Sequence, residues 1–200
     1  MFTRSRILER LQAAPVPGTR RGDQDLNPDM EPKQPLTRAA VLVPLVDRQD
    51  GLTVLLTKRT DHLHDHAGQI SFPGGRIDAA DADAVAAALR EAEEEVGLPR
   101  ERVEVIGRLD TYITRTGFEV TPVIGFVDPP TAFAPDPFEV AEVFEVPLSF
   151  IAAPGSAQRH SRQFQGQTRY FYVFPWQSYF IWGATAGLLV NLADILRESR

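Results

Sequence analysis

The sequence predicts an α/β (or α+β) fold in which a mixed β-sheet lies between helices. The predicted elements run strands, helix, strands, helix along the chain. Residues 83–96 form an amphipathic helix with the strongest periodicity in the sequence. The composition, 43% hydrophobic and 24% charged residues, is ordinary for a globular protein. The 200 residues fit one domain over residues 39–200, preceded by an N-terminal helix and a Pro-rich lead-in over residues 1–38.

The elements follow in order. Residues 4–13 are predicted to form a helix with its apolar residues on one side. Residues 15–37 contain five prolines and two glycines, which predicts a loop or linker rather than a core segment. A buried strand is expected at residues 39–46, interrupted by Pro44, and a paired strand at residues 52–57 follows an Asp-Gly turn. The remaining elements are strands at 69–72, 103–109, 119–127, 140–147 and 169–174, and an amphipathic helix at 185–198.

Charge and composition exclude several function classes. The net charge of −6 argues against a nucleic-acid partner bound through a general basic surface. The chain has no cysteine, so disulfides, thiolate nucleophiles and Cys-based zinc sites are excluded. The N-terminal residues do not resemble a signal peptide, and no apolar run has the roughly 18 residues of a membrane span. We therefore expect a cytoplasmic enzyme with a small-molecule substrate and no membrane partner. The oligomeric state is not indicated.

The helix at residues 83–96 carries the most informative pattern. On a helical wheel its apolar stripe consists of Val85, Leu89, Ala92 and Val96. Glu91, Glu94 and Glu95 fall on the opposite side, which predicts an exposed face with three carboxylates. An acidic face of this kind is either simply solvated or binds a cation. Oxygen ligands alone suit Mg²⁺ or Mn²⁺, which pair naturally with phosphate substrates.

Residues 75–98 closely resemble the Nudix box, Gly-x5-Glu-x7-Arg-Glu-U-x-Glu-Glu-x-Gly-U, where U is a bulky aliphatic residue. The second half matches from Arg90 to Leu98. In the first half Asp81 replaces the expected glutamate, and eight residues rather than seven separate it from Arg90. The resemblance implies a Nudix fold, with a mixed sheet between helices and the box as a loop-helix-loop. It also implies hydrolysis of a nucleoside diphosphate linked to a further group.

The same resemblance implies the roles of individual residues. Glu91, Glu94 and Glu95 match the glutamates that hold divalent metal, and Arg90, Glu94 and Glu95 are assigned to catalysis. The general base is left open between a box glutamate and a carboxylate in a distant loop. Glu139 and Glu142 are the loop candidates, with Glu139 preferred, although ordinary strand charges are the alternative for both.

Residues 55–75 resemble a second motif, Leu-Leu-Thr-x-Arg-Ser/Ala-x3-Arg-x3-Gly-x3-Phe-Pro-Gly-Gly, which marks the coenzyme A pyrophosphatase subgroup of Nudix enzymes. The spacing is kept, with Thr60 in place of Ser or Ala and His64 in place of Arg. The subgroup's box also has the extra residue and the Asp. The resemblance implies hydrolysis of coenzyme A (CoA) or acyl-CoA to 3′,5′-ADP and 4′-phosphopantetheine. The residues it implies for substrate binding are Lys58, Arg59, Thr60, His64, Gly68, Gly74, Gly75 and Arg76.

Two other functions remain open. The chain could act on a different nucleoside diphosphate derivative, such as ADP-ribose, NADH or an oxidised nucleotide, and His64 favours this alternative. A non-catalytic nucleotide-binding module is the remote alternative, because the box keeps its Arg and Glu residues. The late aromatic residues stack on adenine, line a pantetheine groove or belong to the core, and the core interpretation is preferred. They are Tyr170, Phe171, Tyr172, Trp176 and Trp182.

Overall fold

The computed structural model describes residues 2–14, 20–62, 67–128 and 133–197. The first half comprises α1 (Arg4–Ala13), β1 (Arg20–Gly22), β2 (Thr37–Arg48), β3 (Gly51–Arg59), β4 (Ile70–Ser71), β5 (Gly74–Arg76) and α2 (Ala84–Val96). The second half comprises β6 (Val103–Arg108), β7 (Thr111–Ile113), β8 (Phe118–Val127), β9 (Val140–Pro147), α3 (Leu148–Ile151), β10 (Gln158–Phe164), β11 (Gln167–Trp176), β12 (Tyr179–Trp182) and α4 (Gly183–Arg197).

Within these residues the strands form one large mixed sheet and one small antiparallel sheet. Strand β2 is the centre of the large sheet, parallel to β8 on one side and antiparallel to β3 and β5 on the other. Strand β9 extends it beyond β3, β4 pairs with the end of β3 on the edge opposite β9, and β6, β7 and β1 extend it at β8. The small sheet has the order β10, β11, β12. The mixed sheet that the sequence predicts is confirmed.

Two hydrophobic cores lie on opposite faces of the large sheet. Helix α2 packs on one face, where its alanines meet Leu42 and Leu55. Helices α1, α3 and α4 cover the other face, where Leu45 and Leu56 are buried. Successive residues of a strand point to opposite faces, so Leu55 and Leu56 supply one core each. The predicted sheet between helices is therefore confirmed. None of the described helices is long and apolar enough to cross a membrane.

Strand β2 continues through Pro44, so the predicted interruption is wrong. On one side β2 pairs with β5 at residues 39–41 and with β3 at residues 45–48. Pro44 lies between these two ladders, where its missing N–H costs no hydrogen bond to either partner. The proline is visible in the sequence, but the change of pairing partner from β5 to β3 depends on the tertiary structure.

The segment at residues 15–37 is not simply a linker, which corrects the prediction. Its residues 20–22 form β1 and pair with β7 in the large sheet. Asp23 accepts hydrogen bonds from the Tyr112 hydroxyl at 2.8 Å and from the Arg115 N–H at 2.7 Å. Met30 is buried. No strand is predicted from the sequence where β1, β5, β7, β10 and β12 form. These strands depend on pairing with other parts of the chain, which local sequence patterns do not show.

Helix α1 is part of the packed structure, since Ile7 is fully buried in the core beneath α4. We expect Ile7→Ala to lower the free energy of unfolding by about 2–5 kcal/mol, because it leaves a cavity. Urea denaturation measures this change. Gln12→Ala, an exposed position on the same helix, is the control and should change stability by less than about 0.5 kcal/mol. Equal, small effects would show that α1 does not contribute to the core.

The domain boundary at residue 38 stays a prediction.

Candidate active site

Helix α2 has the ends that its sequence dictates. Asp83 caps the N-terminus by accepting a hydrogen bond from the Ala86 N–H at 2.9 Å. Gly97 ends the helix in a left-handed conformation with φ of 65°. The three box glutamates therefore occupy the last two turns, where the helix faces the loop that carries Gly74 and Gly75.

Glu95 is buried, which corrects the prediction that all three carboxylates are exposed. Only 4% of its surface is accessible. Its Oε2 accepts a hydrogen bond from the Gly74 N–H at 3.0 Å, and its Oε1 lies 3.3 Å from the Arg59 guanidinium. Burial raises the pKa of Glu95 to about 7, although Gly74 and Arg59 act against this rise. The wheel places Glu95 on the polar side, but the turn and strand packed there remove it from water.

Arg90 connects the other two box glutamates to the preceding loop. Its Nη1 lies 3.1 Å from Glu91 Oε1 and 2.9 Å from Glu94 Oε2. Its Nη2 donates a hydrogen bond to the Arg76 carbonyl at 3.2 Å. Burial raises the pKa of Glu91, while the neighbouring Arg90 opposes that effect. One guanidinium thus fixes the spacing of Glu91 and Glu94.

Asp81 anchors Arg90 from the other side. Its two carboxylate oxygens each lie 3.0 Å from an Arg90 nitrogen. The hydrogen bond with Arg90 holds the pKa of Asp81 below its usual range. Sequence comparison shows Asp81 as a departure from the general Nudix box that the CoA subgroup shares, but it does not show the pairing with Arg90. The Asp and the extra residue before Arg90 are the sequence signals for it.

Glu139 lies beside the buried glutamate, whereas Glu142 does not. Glu139 Oε2 is 3.5 Å from Arg59 Nη2, and the Glu139 charge contributes to the raised pKa of both Glu91 and Glu95. Glu142 pairs with Lys58 in the β3–β9 ladder and accepts a hydrogen bond from the Tyr179 hydroxyl. Of the two loop candidates, the structure brings only Glu139 to the box.

Lys58 and Arg59 point to opposite faces of β3, because adjacent residues of a strand alternate. Arg59 faces α2 and pairs with Glu95 and Glu139. Thr60 is buried, and its hydroxyl donates to the Phe138 carbonyl at 2.8 Å while its N–H donates to the Glu139 carbonyl at 3.0 Å. Thr60 therefore ties the Glu139 loop to the end of β3.

Gly68 and Arg76, also predicted to bind substrate, have other contacts in the described structure. Gly68 has φ of 66° and donates its N–H to the Thr60 carbonyl. Arg76 is exposed, with its guanidinium 5.9 Å from the Phe118 ring centroid. His64 lies outside the described residues.

Gly74 and Gly75 are required for different reasons. A Cβ at Gly75 would stand 2.5 Å from a Glu91 carboxylate oxygen, whereas one at Gly74 would stand 2.5 Å from the Ala40 carbonyl, with φ at 155°. We expect Gly75→Ala to displace Glu91 and lower kcat about tenfold or more, with a small change in stability. Gly74→Ala should instead lower the unfolding free energy by about 1–3 kcal/mol, because backbone cannot move aside. Parallel kinetics and urea denaturation separate the two effects, and identical behaviour would contradict the contact with Glu91.

The donor set fits a hard divalent cation. Glu91, Glu94 and Glu95 supply carboxylate oxygens, and the buried carboxylate of Glu95 keeps a raised pKa that a further positive charge would relieve. Among the described residues no three His, Asp or Glu side chains already stand together as a metal ligand set. Arg90 and Arg59 are instead the immediate partners of these carboxylates.

The central strands β2, β3 and β8 and helix α2 lie in the part of the chain that matches a known family. A family model described as the NUDIX domain matches residues 36–167. The chain therefore belongs to the Nudix hydrolase family, whose members hydrolyse nucleoside diphosphate derivatives and generally use divalent metal ions.

Two bacterial relatives of the chain show the same membership. The uncharacterized Nudix hydrolase NudL of Enterobacter sp. is 47% identical over 157 residues, which cover 78% of this chain and 81% of that protein. NudL of Escherichia coli is 46% identical over the same length and the same shares. Among solved structures, the Nudix hydrolase RenU of M. smegmatis is 27% identical with a TM-score of 0.46, covering 60% of this chain and 78% of RenU. The NUDIX domain of Shewanella oneidensis NrtR, solved with ADP ribose, is 20% identical with a TM-score of 0.47, covering 62% and 82% of the two chains.

Proposed function

We propose that this Nudix hydrolase cleaves the diphosphate bond of CoA or its derivatives, giving 3′,5′-ADP and 4′-phosphopantetheine. The observation that carries the proposal is the convergence of the motif at residues 55–75 on Glu95. Arg59, near the start of that motif, and Gly74, near its end, both contact the Glu95 carboxylate. This supports the proposal, because the segment that resembles the CoA subgroup contacts a proposed metal ligand.

Glu91, Glu94 and Glu95 would hold Mg²⁺ or Mn²⁺. When bound, such an ion neutralises the diphosphate, lowers the pKa of a coordinated water and stabilises the leaving oxygen. Arg90 keeps Glu91 and Glu94 apart at a fixed spacing, and Asp81 keeps Arg90 in place. Glu94 is the most exposed of the three glutamates, so it has room to exchange its bond with Arg90 for another partner.

Glu139 is the best placed loop carboxylate to take the proton of the attacking water. It lies close to Glu95 but is only half-buried, whereas Glu95 is almost fully enclosed. A general base needs both reach and access to water, and Glu139 offers both. Arg59, between the two carboxylates, limits their mutual repulsion.

The phosphate groups of the substrate require positively charged residues in addition to the metal ion. Arg76 and His64 are the proposed contacts to the substrate phosphates, and Gly74 and Gly75 allow close backbone approach. Lys58 stays a prediction from the sequence, because it lies on the face of β3 opposite to Arg59. Lys58 forms no ion pair with any described residue. The proposed partners are CoA or an acyl-CoA, with neither nucleic acid nor membrane. A cytoplasmic location also stays a prediction.

The proposal is tested by comparing kcat/KM for CoA, ADP-ribose, NADH and an oxidised nucleotide in the presence of Mg²⁺ or Mn²⁺. We expect CoA to be the best substrate by about tenfold or more. Faster cleavage of ADP-ribose would instead support the alternative that His64 favours. Binding of nucleotides with no turnover of any of them would identify a non-catalytic module.

A further inference from the structure

The C-terminal part of the chain differs sharply in charge from the rest of the molecule. The net charge is −6, yet residues 146–193 contain no Asp or Glu. In the same segment Arg159, Arg162 and Arg169 supply three positive charges, and His160 stands among them. The small sheet of β10, β11 and β12 lies inside this segment. It is therefore a basic surface on an acidic protein.

The two faces of the small sheet have different environments. Phe174 and Ile181 are fully buried against α4 on the inner face. The strand register places the other set of side chains together on the outer face. This outer aromatic face includes His160, Arg162, Phe164, Arg169, Phe171, Phe180 and Trp182, and Val173 on the same side is buried.

Ring contacts hold the outer aromatic face together. The Phe171 and Trp182 centroids are 5.7 Å apart, and the Arg162 guanidinium lies 5.2 Å from the Trp182 ring. His160 contacts Phe171 and Phe180. Half of the Phe180 surface is exposed. These rings are not core residues, which corrects the interpretation preferred for Phe171 and Trp182.

The charges on this face are not neutralised by carboxylates. Among the described residues, neither Arg162 nor Arg169 forms an ion pair, and Arg169 Nε has no hydrogen-bond acceptor. Arg59 and Arg90, by contrast, each contact two or more carboxylates. Unpaired guanidinium groups beside aromatic rings can bind a phosphate and a stacked base together.

The small sheet adjoins the large sheet on the side where helix α4 packs. Strand β12 runs beside β4, and the Thr185 hydroxyl, just after β12, donates to the Ile70 carbonyl at 2.9 Å. Ile70 pairs with Lys58 in β3, next to Arg59. Strand β12 therefore contacts the short strand that pairs with β3. Most of β11 and all of β12 also lie beyond residue 167, where the match to the family model ends.

We propose that the outer aromatic face binds the adenosine 3′-phosphate end of the substrate. The Trp182 ring stacks on the purine, Phe171, inclined at 66° to Trp182, contacts the purine edge, and Arg162 and Arg169 bind the 3′-phosphate monoester. The match is one of charge and shape, since this ligand joins an aromatic ring to a dianionic phosphate. The proposal rests on the proposed function, because CoA carries that 3′-phosphate.

Binding of 3′,5′-ADP and 5′-AMP to the metal-free protein tests this site without hydrolysis. Trp176 and Trp182 are the two tryptophans of the chain, so quenching of their fluorescence reports occupancy. We expect 3′,5′-ADP to bind at least tenfold more tightly than 5′-AMP. Arg162→Ala should reduce this preference about tenfold, and Arg162→Lys should retain part of it. Circular dichroism verifies that the variants are folded.

Arg159→Ala is the matched control, because Arg159 lies on the same strand but packs over Tyr170 on the inner side of the sheet. It should leave the preference unchanged. Equal affinity of the wild type for the two nucleotides, or equal losses in the Arg159 and Arg162 variants, overturns the proposal. So does self-association of the wild type that Arg162→Ala abolishes, because the face would then bind a second copy of the chain.

Kinetics distinguish failure of this inference from failure of the proposed function. The ratio of kcat/KM for CoA to that for dephospho-CoA should fall about tenfold in Arg162→Ala, through KM. If CoA is cleaved and this ratio is unchanged in Arg162→Ala, the proposed 3′-phosphate site is wrong but the proposed function is retained. If CoA is not cleaved but 3′,5′-ADP is still preferred, the proposed function is wrong and the 3′-phosphate site stands.

Discussion

Replacing Glu95 by Gln should reduce kcat/KM by about a thousandfold while the chain remains folded. The amide keeps nearly the same shape and can still accept the Gly74 N–H bond, but it removes the negative charge beside Arg59. Steady-state hydrolysis at saturating metal measures the loss. Glu93→Gln is the control, because Glu93 is exposed on the same helix and pairs only loosely with Arg100, at 3.7 Å. Comparable losses in both variants would contradict a specific role for Glu95.

The same substitution should change how the stability of the metal-free protein depends on pH. Burial raises the pKa of Glu95 to about 7, above its usual value near 4.5. Between these two values the unfolded state releases a proton that the folded state retains, so stability falls as pH rises. The loss is on the order of 3 kcal/mol and is complete above about pH 7.

Urea denaturation in a chelator, at pH 5 and pH 8, measures that loss. Glu95→Gln cannot titrate at this position, so its unfolding free energy should fall less between the two pH values than that of the wild type. Parallel losses in wild type and variant would show that Glu95 ionises normally in the folded state.

Arg90→Lys should lower kcat about a hundredfold and raise the metal concentration needed for activity. Arg90 contacts Asp81, Glu91, Glu94 and the Arg76 carbonyl with a planar fork, which a single ammonium group cannot reproduce. The charge is retained, so the loss reports geometry. Titration of Mn²⁺ at fixed substrate measures both effects. Arg100→Lys, near the end of the same helix, is the control, and an Arg90→Lys variant that behaves like it would contradict the anchoring role.

The sequence predicts the layered fold and the box helix well, because both depend on local periodicity. Helix α2 begins and ends at capping residues that the sequence shows, Asp83 and Gly97. Two interactions of Arg90 are also foreseeable, since Glu94 is one helical turn away and the glycine loop leads into the helix. The box glutamates and Arg90 therefore form a single local unit.

Features that depend on distant contacts are not visible in the sequence. Glu95 belongs to the polar side of the wheel, and only the approach of Gly74 and Arg59 buries it. Glu139 and Glu142 are equivalent as sequence candidates, but the opposite faces of β3 separate them. The outer aromatic face follows from strand register over β10 to β12, which the single predicted strand at residues 169–174 did not include.

The central claim is that the chain hydrolyses the diphosphate of CoA, and identifying the products tests it most directly. The full-length protein is incubated with CoA and Mg²⁺ or Mn²⁺, and the products are separated by chromatography and identified by mass spectrometry. We predict equal amounts of 3′,5′-ADP and 4′-phosphopantetheine, both absent with Glu95→Gln. Intact CoA under conditions where ADP-ribose is rapidly cleaved would contradict the claim.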